Sequence, residues 1–174
     1  MKRAVALFVV LCAVRAGAAS GPQNEVRADL GVGSAVGFGG LSYARALGER
    51  LSIEAGAGYG ISGFQLSAMP KLLLPSATNA FFIGLGPAIS IERLDADDVG
   101  AAFRRYGTGV WLNADFGYRI VARSGLTFTA AAGASVGLWG SHMLRVPGFI
   151  LSDSFKGIRG LTAPQARVGC GYAF

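Results

Sequence analysis

Apolar residues in this chain alternate with small or polar ones at every second position, the period at which side chains point to opposite faces of a β-strand. From Leu51 to Ser62 the split is complete: Leu51, Ile53, Ala55, Ala57, Tyr59 and Ile61 occupy one face, and Ser52, Glu54, Gly56, Gly58, Gly60 and Ser62 the other. The same division sets Phe81, Ile83, Leu85, Pro87, Ile89 and Ile91 against Gly84, Gly86, Ala88, Ser90 and Glu92, with Phe82 out of pattern. It also sets Val110, Leu112, Ala114, Phe116, Tyr118 and Ile120 against Asn113, Asp115, Gly117 and Arg119, with Trp111 out of pattern. Turn residues divide the chain into eight such runs, about 25–37, 40–47, 51–62, 64–74, 80–92, 106–120, 126–139 and 161–174.

One run has a rival reading. Gly125 to Leu144 is uncharged and carries Gly133 and Gly137 at the small-residue spacing used by helices in lipid. Thr127, Thr129, Ala131, Gly133, Ser135 and Gly137 nevertheless alternate with Leu126, Phe128, Ala130, Ala132, Ala134, Val136 and Leu138, so period two accounts for this stretch as well. A helix here would leave the other seven runs unexplained.

Which face points outward follows from the chemistry of the polar one. A water-soluble barrel with an apolar interior, as in lipocalins, would show solvent many Lys, Glu and Thr. Here the polar face is chiefly Gly, Ala and Ser with isolated charges. The 174 residues include 27 glycines and are 52% hydrophobic and 15% charged, an unusual balance for a soluble domain. Small residues suit the crowded lumen of an eight-stranded barrel, leaving room for a few long charged side chains. The large apolar residues then face lipid. The expected fold class is all-β: an eight-stranded antiparallel up-and-down transmembrane β-barrel.

Connections alternate in length: Gly48-Glu49, Pro75 to Asn79 and Ala122 to Gly125 are short, whereas 93–105 and 140–160 are long. Short periplasmic turns and longer external loops place both mature termini in the periplasm. Two outer hairpins, near Phe38 to Gly40 and at Gly63, are tight and depart from the trend. Phe81, Phe116, Tyr118, Tyr172 and Phe174 fall toward the periplasmic strand ends, and Phe38, Tyr59, Phe64, Tyr106 and Trp139 toward the external ones, forming two aromatic girdles.

Residues 1–20 read as a cleavable secretory signal peptide, with the barrel domain spanning 21–174. Lys2 and Arg3 precede the apolar run Ala4 to Val14, and Ala16-Gly17-Ala18-Ala19 offers a small-residue cleavage site. The run is too short for a membrane helix, which needs roughly 20 residues. Cys12 follows Leu11 rather than a small residue, which argues against lipid attachment. Its removal with the signal leaves Cys170 without an intramolecular disulfide partner. Loss of Lys2, Arg3 and Arg15 lowers the formal charge from +6 to +3, too modest to argue for nucleic acid.

The last eight residues, Arg167-Val168-Gly169-Cys170-Gly171-Tyr172-Ala173-Phe174, resemble the C-terminal β-signal of bacterial outer-membrane proteins. That pattern is a polar residue, glycine two places on, and aromatic or apolar residues third-last and last; Arg167, Gly169, Tyr172 and Phe174 fill it. The resemblance implies that the segment is the final strand and is read by the barrel assembly machinery. The mature chain is similar to small outer-membrane barrels of the OmpA/OmpX type in Gram-negative bacteria, without a peptidoglycan-binding domain after the last strand.

The lumen face is expected to hold Arg27, Asp29, Arg45, Glu54, Lys71, Asp115, Arg119 and Arg167, as a paired network, because an unpaired buried charge is costly. No enzyme, metal site or cofactor is expected. Lipid A deacylases are eight-stranded barrels with a His and a Ser on one strand face, but here the one histidine, His142, adjoins Ser141 and the pair would point to opposite faces. His142 reads instead as a loop or interface residue. Asp95-Ala96-Asp97-Asp98 lacks the glycine and distal glutamate of a calcium loop. In 140–160, Arg145, Lys156 and Arg159 among Met143, Leu144, Val146, Phe149, Ile150 and Leu151 could meet lipopolysaccharide phosphates at the outer leaflet, or the segment could fold over the barrel mouth. The sequence thus points to an integral outer-membrane protein with a structural or surface-interaction role through its external loops. A small-solute pore is the alternative, and a lipid A-modifying enzyme a more distant one.

Overall fold

A computed structural model describes residues 22–60, 63–74, 79–91, 104–145 and 162–174. Eight strands form: β1 Asn24–Ser34, β2 Gly37–Ala46, β3 Leu51–Gly60, β4 Gly63–Leu74, β5 Ala80–Ile91, β6 Arg104–Val121, β7 Leu126–Arg145 and β8 Thr162–Ala173. Each pairs antiparallel with its sequence neighbour, and β8 returns to β1 with Glu25 opposite Ala173 and Val32 opposite Ala166, closing the barrel. Closure leaves no sheet edge unpaired around the wall. Past the end of β8, Phe174 exchanges both backbone hydrogen bonds with Asn24 of β1, at 3.0 and 2.8 Å.

The run from Gly125 to Leu144 is strand, paired on both sides, rather than helix. β7 runs on to Arg145 and β6 begins at Arg104, so strand extends into both stretches expected to be long loops. His142, read as a loop or interface residue, stands on β7 opposite Tyr106 rather than in a loop. The signal segment, Asp95 to Asp98, Lys156 and Arg159 lie outside the described residues.

The alternation has the orientation its chemistry requires. Leu30 is 66% exposed and Leu41 63%, whereas Arg27 is 2% exposed, the reverse of a water-soluble fold. Phe82 and Trp111, out of pattern by type, keep the phase of their strands and point inward, Phe82 being buried. Outward aromatics form two bands. Phe38, Tyr59, Phe64 and Trp139 lie toward the end remote from the termini, and Phe81, Phe116, Tyr118, Tyr172 and Phe174 toward the end that bears them. Phe81 bridges its band, stacking on Phe116 at 5.8 Å and tilting against Tyr118 at 4.7 Å.

The first hairpin departs from the expected boundaries. Its turn is Ala35-Val36, not Phe38 to Gly40, because the β1–β2 register slips between Leu30 and Ser34. Gly33 and Gly37, at φ +64° and +79°, take the left-handed conformations the slip and turn demand. The turn folds into the lumen: Ala35 is 3% exposed and Val36 fully buried. Its receptor is the glycine face of β3, where a Cβ on Gly56 would stand 2.5 Å from Val36 Cγ1 and one on Gly58 would stand 2.1 Å from the Val36 carbonyl.

Candidate functional site

The barrel interior holds the one constellation of interacting charges among the described residues. β1 supplies Glu25, Arg27 and Asp29; β3 supplies Glu54, β4 Lys71, β6 Asp115 and Arg119, and β8 Arg167. Alternation turns each of them inward, and the glycines beside them leave the space. Gly169, opposite Asp29 in the register, is an example: a Cβ there would come within 2.2 Å of Asp29 Oδ1 and 2.6 Å of Arg27 Cδ.

The contacts run as one chain across the lumen. Arg119 Nε lies 2.7 Å from Glu25 Oε2, whose other oxygen is 3.2 Å from Arg27 Nη1. Arg27 then donates from Nε to Asp29 Oδ1 at 2.7 Å and from Nη2 to Glu54 Oε2 at 2.6 Å. Glu54 also accepts from Lys71 Nζ and, at 2.7 Å, from Arg167 Nη1. Arg167 Nη2 stands 2.8 Å from Asp115 Oδ2, and Asp115 Oδ1 accepts from Gln165 Nε2. The remaining strands attach through neutral or aromatic groups. Ser42 of β2 donates to Asp29, Thr129 of β7 accepts from Arg27 at 3.4 Å, and Phe82 of β5 places its ring 4.5 Å from Lys71 Nζ. Every strand is thereby tied to the network.

Two sequence expectations need correction. Arg45 does not enter the lumen: it stands on the outer wall opposite Asn24 and Ile53, in phase with the exposed Leu41 and Tyr43. Glu25, omitted from the expected set, is 3% exposed inside. Among the described residues the interior therefore holds four cations (Arg27, Lys71, Arg119, Arg167) and four carboxylates (Glu25, Asp29, Glu54, Asp115), rather than an excess of cations. Balance matters because each uncompensated charge in a low-dielectric interior costs several kcal/mol. The missed signal was phase: Glu25 has the parity of Arg27 and Asp29, and Arg45 that of the apolar residues.

Apolar layers flank the charge network on either side. Leu73, Ala80 and Phe82 pack with Ala131 toward the termini, and Ala35, Met69 and Ala88 pack with Trp111 toward the other end. Between them Ser135 Oγ reaches 2.6 Å to Asn113 Oδ1 and 3.0 Å to the Gly33 carbonyl, fastening the infolded hairpin to β7. At the terminal end the void lined by Glu25, Arg27, Lys71 and Arg119 measures about 20 Å³, room for about one water. Such an interior can brace the wall and block passage.

Of the C-terminal pattern, Tyr172 and Phe174 face outward while Arg167 and Gly169 face the lumen. Arg145 is placed on β7 opposite Arg104. Compared with protein families and with characterised proteins, the chain matches no family model and no curated sequence.

Proposed function

We propose that the protein is an integral outer-membrane barrel with a sealed lumen, acting as a structural or surface-interaction element through the connections 92–103 and 146–161. The observation that carries this reading is the inversion of the fold: an outer wall of exposed Leu, Ile, Val and Phe around a lumen of paired charges. In water that wall would be a large apolar surface of the kind monomeric soluble proteins avoid. In lipid it is the natural exterior, and closure satisfies the backbone where no water can. On this reading both chain ends are periplasmic, the barrel assembly machinery reads Arg167, Gly169, Tyr172 and Phe174, and Arg145, Lys156 and Arg159 meet lipopolysaccharide.

Against a small-solute pore stand the infolded hairpin, the two apolar layers and the ion-pair network, stacked in one narrow lumen. The test is reconstitution. The detergent-refolded protein should give a β-rich circular dichroism spectrum and insert into planar bilayers without stable channels of porin-like conductance. A predominantly helical spectrum overturns the barrel in lipid, and persistent porin-like conductance overturns the sealed lumen.

A further inference from the structure

We propose that the barrel wall opens locally at the β4–β5 seam, where two prolines remove hydrogen-bond donors from the middle of the ladder. The pairing runs from Phe64 opposite Ile91 to Ser67 opposite Ala88, lapses, and resumes with Lys71 opposite Gly84. Register is unchanged across the lapse, so Ala68 opposes Pro87, Met69 opposes Gly86 and Pro70 opposes Leu85, with no bulge to account for the lost rungs. Proline has no amide hydrogen to donate. Opposed residues of an antiparallel pair alternate between exchanging both hydrogen bonds and exchanging none, so each residue's backbone addresses one neighbouring strand or the other. Pro70 lies within an unbroken β3–β4 ladder, opposite Ile53, and Pro87 within an unbroken β5–β6 ladder, opposite Leu112. Neither of those ladders misses a donor, so both proline nitrogens address the β4–β5 seam. The carbonyls of Leu85 and Ala68, opposite Pro70 and Pro87, therefore lose the donors that a regular ladder would bring to them.

Apolar packing spans the lapse from inside. The Met69 side chain crosses from β4 to β5: a Cβ on Gly84 would stand 2.6 Å from Met69 Sδ, and one on Gly86 would stand 2.7 Å from Met69 Cα. Met69 is 1% exposed and unbranched, so the strap over the lapse is an adaptable thioether rather than a polar tie. The ion pair of β4 runs the other way, from Lys71 to Glu54 on β3, and toward β5 Lys71 Nζ meets only the ring of Phe82, at 4.5 Å, among the contacts of the described residues. Rungs from Phe64 to Ser67 and from Lys71 to Leu74 hold both flanks in one register, so strands that part at the lapse close again on the same pairing. Local opening is cheapest where the fewest hydrogen bonds must break, and here two are absent before any opening begins.

Backbone hydrogen exchange of the detergent-refolded protein, resolved by residue, tests the seam. The amides of Ala68 and Leu85 should exchange faster than those of Ala114 and Ala134, which oppose each other in an unbroken stretch of β6–β7, by roughly fivefold for each missing bond. Pro70→Ala together with Pro87→Ala returns both donors and should slow Ala68 and Leu85 to the rate of the control pair, with each single replacement recovering part of the difference. Met69→Ala removes the strap and should speed Ala68 and Leu85 further while leaving Ala114 and Ala134 unchanged. Equal protection of the two seams in the wild-type protein overturns the proposal. So does fast exchange that neither proline replacement slows, or a Met69→Ala effect spread equally over both seams.

Discussion

Arg167 on β8 donates from Nη1 to Oε1 of Glu54 on β3 at 2.7 Å, joining strands that do not neighbour each other in the barrel wall. Because Glu54 also accepts from Arg27 and Lys71, its carboxylate holds three cations from three strands. Glu54→Ala should leave those cations short of a partner and destabilise the detergent-refolded barrel by about 3–5 kcal/mol. Asp115→Ala should act in the same direction but less, since it removes one arginine contact and one amide contact. Arg45→Ala, with no side-chain partner among the described residues, should stay within about 0.5 kcal/mol. Urea midpoints in one detergent measure all three, and a Glu54→Ala barrel as stable as wild type would show that the network does not brace the wall.

The infolded hairpin makes a separate prediction, because its seat is built from absent side chains. Val36→Ala removes two buried methyl groups and should cost roughly 2 kcal/mol. Gly58→Val should cost more, since its Cβ alone would press to 2.1 Å on the Val36 carbonyl and 2.5 Å on the Gly39 carbonyl. If both variants unfold at the wild-type urea midpoint, the turn does not occupy the β3 glycine face.

These examples mark what a one-dimensional pattern carries. Period two was enough to place Glu54, Lys71, Asp115 and Arg167 inside, since each stands among strand neighbours whose type contrast is clear. Arg45 shares the phase of Leu41 and Tyr43, and Glu25 that of Arg27 and Asp29, so for these two the phase of the strand, not the charge of the side chain, decides the face. The hairpin was illegible for a different reason. Ala35 and Val36 have no periodic partner, and their burial depends on glycines twenty residues away across a register slip. Pairings such as Arg167 with Glu54 likewise depend on barrel closure, which alternation implies but does not align.

Gly169 separates two explanations of the C-terminal pattern. The resemblance casts it as part of an assembly signal, and the register places it where any Cβ would collide with Asp29 Oδ1 and Arg27 Cδ. Gly169→Ala should therefore weaken the barrel refolded in detergent, by about 1–3 kcal/mol as for overpacking elsewhere. Equal stability of Gly169→Ala and wild type in that refolding assay would leave only the signal role for this glycine.

Phe174 is set apart by what it demands of assembly rather than by its share of stability. The residue is 58% exposed on the outer wall, and its backbone contributes two hydrogen bonds to Asn24 that extend the β1–β8 seam past the last strand residue. Deleting it removes those bonds, each with a net value of about 1 kcal/mol, and an exposed ring whose interfacial packing is modest. The refolded barrel should therefore lose only about 2 kcal/mol. A recognition residue governs instead whether the chain reaches the membrane at all, so the same deletion should reduce outer-membrane insertion in cells far more than it weakens the refolded protein. Tyr172→Ala, on the outer wall, should act in the same direction, while Ala173→Ser, facing the lumen opposite Glu25, should be nearly silent. Fractionation of cells expressing each variant, set beside urea midpoints of the refolded proteins, decides the matter: a Phe174 deletion that accumulates in the outer membrane at the normal level would refute the β-signal reading.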